Sequence, residues 1–307
     1  MMRLGILILT AILITASLCI SSLAQRVSDR EAANLKGPVR SVRVIHESGP
    51  RSGARETIKY DANGNEVERQ LVSDFGEQIG TQFRVFDAAG NLDRSTLVDP
   101  DGIEKEESRF TFKGLQPVEI QRFDASGALR ERTVRILGSN GIVAEERYFD
   151  PKNERAKTIF TYDQRRNVVE AAFFLIDGQK ATAPFGPCLG GHRVVFEYDD
   201  RDRPISKTLF DIEGDKKKSW SFSYDEKGNY LVYTVRSPSS VTSVAYTYEY
   251  DANGNWIKST SVSESDDGLL ELMLKATGHE AKPDELQELK MKAAKPIRLI
   301  RREIAYY

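Results

Sequence analysis

The hexapeptide Tyr-Asp-Ala-Asn-Gly-Asn stands twice in the chain, at 60–65 and at 250–255. Asp61, Asn63 and Asn65 could begin a calcium loop of the EF-hand kind, with oxygen donors at alternate positions. Such a loop also needs glycine at its sixth position and a bidentate glutamate at its twelfth. Glu66 and Val72 hold those places in the first copy, and Trp256 and Val262 in the second. The hexapeptide therefore reads as a turn, and no metal ligand is predicted.

Thiol chemistry has one candidate. Cys188 and His192 lie four apart in the Gly- and Pro-rich stretch APFGPCLGGH at 183–192, but no third residue is placed to orient them. His46 and His279 lie far from that stretch, and none of the three histidines sits in a zinc-protease helix motif. There is no nucleophile elbow, no phosphate-binding glycine loop and no Cys-x-x-Cys. Acids cluster at Glu104–Glu107 and at Asp266 and Asp267, yet a glycosidase needs two carboxylates facing across a cleft, which spacing along strands does not show. Tyr246, Tyr248, Tyr250 and Trp256 could stack on sugar rings if exposed; core packing is the expectation. No catalytic, cofactor-binding or metal residue follows from these patterns.

The elements that carry these residues are legible from a repeat. Aromatic-Asp pairs occur at residues 60, 86, 123, 149, 162, 198, 210, 224 and 250, several of them 26 apart. Four residues after the aromatic, six of the nine copies carry glycine, Gly64, Gly90, Gly127, Gly214, Gly228 and Gly254. That order suits a type I turn closed by a left-handed residue in a G1 bulge: Asp61, Asp87, Asp225 and Asp251 cap it, and the glycines supply positive φ. Asn153 and Asp202 tolerate the same conformation, whereas Arg166 should make a looser turn. Before each turn apolar residues alternate, as in Trp220, Phe222 and Tyr224, so the segments are strands with one apolar face. From Val39 to Val262 the pattern predicts an antiparallel β-meander of roughly sixteen strands, too many to stay flat. The expected fold is all-β, coiled into a solenoid or a partly closed barrel with its aromatic face inward. Tyr60 and Tyr250 should be the last inward side chains of their strands.

The stretches YDANGNEVERQLV, FDAAGNLDRSTLV, YDEKGNYLVYTV and YDANGNWIKSTSV resemble the repeats of the RHS, or YD-repeat, family. In large members such repeats build a β shell around a carboxy-terminal toxin, so the resemblance implies a β-repeat fold. No toxin-sized domain is expected after the repeats. Asp99-Pro100-Asp101-Gly102 echoes the family's toxin-boundary motif, but it lies mid-repeat with Arg94 in place of the preceding proline, and it is expected to be a turn.

The chain opens with Arg3, an apolar stretch from Leu4 to Ile20 and Ser22-Leu23-Ala24, which reads as a secretory signal cut between Ala24 and Gln25. A retained anchor or a lipid on Cys19 are the other readings, the latter set against Leu18 where a small residue is wanted. After cleavage only Cys188 remains, so no internal disulfide is expected. The formal net charge of −2 becomes one unit more negative on losing Arg3, a balance that suggests neither nucleic acid nor an anionic membrane as partner. The lead-in at 25–38 is followed by the β domain at 39–262. Leu-rich segments and the capping pattern Pro283-Asp284-Glu285-Leu286-Gln287 predict a helical insertion at 263–296. A last strand at 297–307 should pair with the Trp256 strand. The functional expectation is an exported, non-catalytic binding or scaffold protein of the bacterial periplasm or envelope, with an unknown protein or glycan as partner. A polymer-acting hydrolase and a partner or remnant of an RHS toxin system are the alternatives.

Overall fold

The structure is a computed structural model, and it describes residues 28–265 and 298–307. The signal at 1–24 and nearly all of the expected helical insertion lie outside the described residues. Residues 263–265, expected to begin that insertion, continue a strand instead.

Eighteen strands follow one another: β1 Val39–His46, β2 Arg55–Tyr60, β3 Glu66–Val72, β4 Gln78–Phe86, β5 Leu92–Val98, β6 Glu104–Lys113, β7 Gln116–Asp124, β8 Leu129–Leu137, β9 Val143–Phe149, β10 Glu154–Tyr162, β11 Val168–Leu175, β12 Arg193–Tyr198, β13 Pro204–Phe210, β14 Lys216–Tyr224, β15 Tyr230–Ser237, β16 Ser240–Tyr250, β17 Trp256–Ser265 and β18 Arg298–Tyr306. Each pairs antiparallel with the next, and β18 pairs with both β17 and β1. The sheet is thus a closed up-and-down barrel, which corrects the expectation of a solenoid or an incomplete barrel. Closure removes both exposed edges, so no unpaired row of backbone donors remains to template aggregation. Seventeen strands, rather than about sixteen, fall between Val39 and Ser265.

Register settles which residues face inward. Val42 lies opposite Ile58, Ile58 opposite Arg69, Arg69 opposite Gln82, and the series returns through Ile304 to Val42. This face holds both clusters of buried apolar side chains and is the inner one. One cluster joins Val39, Val42 and Tyr60; the other joins Phe160, Ala171, Phe173, Val194 and Leu209. Eighteen strands spaced about 4.8 Å apart give a circumference of at least about 86 Å. Barrels of this size enclose more space than their side chains fill.

Two segments close onto the barrel. The connection from β11 to β12 buries Ala183 and Cys188 in the larger cluster, and Phe185 packs edge-on against Tyr148 at 4.6 Å. Gly191 is required there, since a Cβ would sit 2.5 Å from the Phe210 carbonyl oxygen. At the other end lies the lead-in with α1, Asp29–Ala32, begun by a capping box of Ser28 and Glu31. The lead-in spans three turns: the Arg30 N–H donates to the Gly64 carbonyl, Asn34 Nδ2 to the Lys227 carbonyl, and the Lys36 N–H to Asn255 Oδ1.

Candidate functional site: the lumen wall and its rims

The aromatic-Asp copies divide between the two rims. Tyr60, Phe86, Tyr162, Tyr198, Tyr224 and Tyr250 all end inward-facing at the rim where the lead-in lies. Gly64, Gly90, Gly228 and Gly254 there have φ of +85°, +81°, +87° and +83°, as the turn reading requires. Asp61 is fully engaged: Oδ1 accepts from the Asn65 N–H at 2.9 Å and Oδ2 from Asn65 Nδ2 at 2.7 Å. Asp87 and Asp225 repeat this with Asn91 and Asn229, while Oδ1 of Asp251 accepts from the Asn255 N–H. These carboxylates serve the turn, and Asp87, Asp225 and Asp251 are held below the usual carboxylate range with those hydrogen bonds among the causes, against the opposing push of desolvation. Arg166 takes φ of +71° with its N–H bonded to the Asp163 carbonyl, so the looser turn expected there is an ordinary member of the set. Asp202 behaves as expected at +58°. Asn153 is not among the positive-φ residues; its N–H bonds Asp150 Oδ1 in a shorter turn that begins at Pro151.

Hydroxyl groups link neighbouring turns of this rim. Tyr162 donates to the Val143 carbonyl, Tyr198 to that of Val168 and Tyr224 to that of Pro204. Tyr250 donates to Asp225 Oδ2 and Tyr306 to Asp251 Oδ2, both at 2.5 Å. Burial holds Tyr60, Tyr198 and Tyr250 protonated up to about pH 12. The remaining copies, at Phe123, Phe149 and Phe210, end strands at the opposite rim and face outward, against the expectation that all copies bury one face. Arginines stack on them, Arg109, Arg132 and Arg193 lying 4.4, 4.3 and 4.2 Å from the respective ring centroids. The division is written in the sequence. Inward copies other than Phe86 carry Tyr, and all but Arg203 carry Asn after the turn; the outward ones carry Phe followed by Ala128, Glu154 or Asp215.

Between the rims, the inner wall has two unlike halves. From β2 to β9 its cations are matched by acids. Arg69 bridges Glu56 at 2.5 Å and Glu66 at 2.6 Å, and Arg84 reaches Glu66 at 3.4 Å. Arg135 meets Glu146 at 2.7 Å, and Arg122 pairs with Glu131. Glu66 is only 5% exposed in its side chain, so the set around it is buried as well as paired, whereas Arg122 and Glu131 are exposed.

From β12 to β18 the wall is aromatic and basic. Among the described side chains of these strands, the acids Glu197, Glu249 and Glu303 all face outward by register. Inward stand Lys207, Lys218, Arg298 and Arg302. Lys207 and Lys218 lie over the Trp220 ring at 4.8 and 5.4 Å, and Arg302 lies over Trp256 at 3.4 Å. Between them Tyr230, Phe222 and Tyr233 pack together, as do Tyr246, Tyr248 and Tyr250. Core packing was expected for this stripe; it lines the lumen half-buried instead, because strands this numerous cannot bring opposite walls together. Burial pushes Lys207 down, and it pushes Arg302 down to about 10, so Arg302 stays charged at neutral pH.

The outer wall carries ion pairs around its circumference, among them Arg43–Glu303, Lys59–Glu68, Arg94–Glu107, Arg193–Glu170 and Lys258–Glu249. Among the described residues no helix is long and apolar enough to cross a membrane. Cys188 is fully buried, donates to the Ala171 carbonyl and is pushed up to about 12 by burial, which removes the accessible thiol considered from sequence. His192 is also buried, with Nδ1 2.7 Å from the Phe173 carbonyl oxygen. His46 stands elsewhere, beside Arg298, and is pushed down to about 4 mainly by burial; His279 lies outside the described residues.

No protein-family model matches the chain, and no curated protein is similar to it. Among solved structures it is similar to a porin-like protein from Bacteroides uniformis, at 10% identity over 88% of this chain and 99% of that one, with a TM-score of 0.41. It is also similar to 15% of the TcdB2-TccC3-TEV chain, over 70% of its own length, at 9% identity and a TM-score of 0.25. A putative outer membrane lipoprotein-sorting protein domain from Vibrio parahaemolyticus matches 86% of the chain at 10% identity with a TM-score of 0.20.

Proposed function

We propose that the chain is an exported, non-catalytic binding protein of the bacterial envelope whose barrel stands in water and receives its ligand on the lumen wall. The observation that carries this reading is the inner surface of β12–β18, which combines half-buried aromatic rings with four cations and, among the described side chains, no inward acid. A wall built only to support the fold would match its charges, as the β2–β9 half does.

The outer wall supports the aqueous setting. Lysine or arginine facing lipid at the middle of a bilayer costs about 2–4 kcal/mol each, and the outer face carries such residues on many strands. The signal-like start and the YDxxGN resemblance support export and a shell-like role. Retention tests the proposal: immobilised chain 25–307 is exposed to envelope extract and to a glycan array. A ligand that is retained, and released by substitutions on the inner wall of β12–β18, is the expected result. Failure to retain any protein or glycan would sink the reading.

A further inference from the structure

The cations of β13–β18 form two stations. Lys207 and Lys218 flank Trp220; Arg298 and Arg302 stand on β18, with Trp256 beside Arg302. From β14 to β18 is four strand spacings, about 19 Å along the wall, and the tyrosine stripe fills the interval.

No ion pair among the described residues involves these four cations. Glu56 acts electrostatically on Arg302, but it is already bridged to Arg69 at 2.5 Å. Arg298 donates towards His46 Nδ1 at 3.1 Å, and no acid among the described residues forms an ion pair with it. Lys207 faces Phe196 and Trp220, and Lys218 faces Trp220. A second observation concerns the same two arginines: Nε of Arg298 and Nε of Arg302 are buried donors without an acceptor among the described residues, as Arg84 Nε is on the other half, where Gln82 Oε1 also lacks a donor. A buried donor left unpaired costs about 1–3 kcal/mol, which an incoming oxygen would remove.

We propose that this wall is the seat of an anionic oligosaccharide, its acidic groups meeting Lys207 and Lys218 at one station and Arg298 and Arg302 at the other, its sugar rings against the intervening tyrosines. Sugars present hydroxyls and an apolar ring face together, which suits tyrosine rings with polar tips. Single-stranded nucleic acid also uses cations and aromatic rings; the net charge of −2 disfavours both polyanions alike at long range, and it is the sugar's hydroxyls that match the polar tips of the tyrosines. An oligosaccharide threading a lumen needs only the local charge that the wall supplies.

The inference rests on the binding reading above, and calorimetry with chain 25–307 separates the two. The probes are an oligogalacturonate, a sulfated oligosaccharide of equal length, the methyl-esterified neutral oligogalacturonate, and a single-stranded DNA oligomer of matched charge. At least one acidic glycan is expected to bind about tenfold or more tightly than the neutral one, with affinity falling as salt rises. Lys207→Gln with Lys218→Gln, and Arg298→Gln with Arg302→Gln, should each weaken binding by about tenfold or more. Lys59→Gln with Lys258→Gln on the outer wall should leave it unchanged. The pair Arg298→Lys with Arg302→Lys should recover part of the affinity, which a merely misfolded wall would not. Equal binding of acidic and neutral glycans, equal loss from the outer-wall pair, equal or tighter binding of DNA, or no binding by either acidic glycan overturns the inference. Only the absence of every ligand in the retention experiment overturns the binding reading as well.

Discussion

The same hexapeptide closes a hairpin in each half of the barrel, Tyr60–Asn65 between β2 and β3 and Tyr250–Asn255 between β16 and β17, yet the walls beyond the two turns differ. Above the first, Glu66, Arg69, Glu56 and Arg84 form a buried, mutually paired set. Above the second, Trp256 carries Arg302 on its ring, and the neighbouring inward residues are Tyr248, Ser259 and Ser261. A repeat therefore fixes turn and strand without fixing what the strand presents. In one half the inward charges satisfy each other and serve the fold. In the other no ion pair among the described residues involves them.

That contrast is most severely stressed at Glu66. Replacing Glu66 with Ala leaves Arg84 only the longer contact to Asp29 at 3.9 Å and takes one of two acids from Arg69, and should cost about 3 kcal/mol of stability in a urea titration. A loss under about 1 kcal/mol would mean that the pairing is not structural. The two turns offer the next comparison. A Cβ on Gly64 would meet Ser28 Oγ at 2.8 Å, whereas one on Gly254 meets nothing within 4 Å. Both glycines have positive φ, so Gly254→Val should cost about 1–2 kcal/mol from backbone strain alone, and Gly64→Val about 1 kcal/mol more. Equal midpoints for the two variants would show that the lead-in does not press on the first turn.

A smaller effect belongs to the tyrosine rim. Tyr250→Phe removes a hydrogen bond to the Asp225 carboxylate and should cost about 1.5 kcal/mol. The same rim sets an alkaline limit. Tyr60, Tyr198 and Tyr250 have ionisations raised in the fold, mainly by burial, from 10.0 to about 12. Their stabilisation is complete below pH 10 and is lost as pH rises towards 12. Urea midpoints should fall across that window, while a flat profile would contradict the burial of the rim. Smallest of all should be Lys218→Gln, which separates no ion pair and should change stability by no more than about 0.5 kcal/mol. Its effect belongs in binding.

Turn chemistry was the most legible part of this fold. Asp61, Gly64, Asp251 and Gly254 specify local geometry through their own backbone and side chains, and alternation before them specifies strands. Closure was harder to read, because it depends on β18 meeting β1 across more than two hundred residues. The outward set Phe123, Phe149 and Phe210 was misread for a different reason. Asp and Gly define a turn equally well at either rim, and only the tyrosine hydroxyl and the following Asn mark which rim is meant. The candidate site was half visible: the stripe Tyr246, Tyr248, Tyr250 and Trp256 stood out, but its exposure follows from barrel size. Lys207, Lys218, Arg298 and Arg302 look like ordinary surface charges until register turns them inward.

Tryptophan emission addresses the role of the aromatic half most directly, since the chain has two tryptophans, Trp220 and Trp256, and each stands on that wall beside its cations. A ligand recovered by the immobilised protein should shift their emission on titration and protect both from acrylamide, with Trp220→Phe and Trp256→Phe each removing part of the signal. A ligand that binds with full affinity and leaves the emission and quenching of both tryptophans unchanged would contradict a lumenal site on β12–β18.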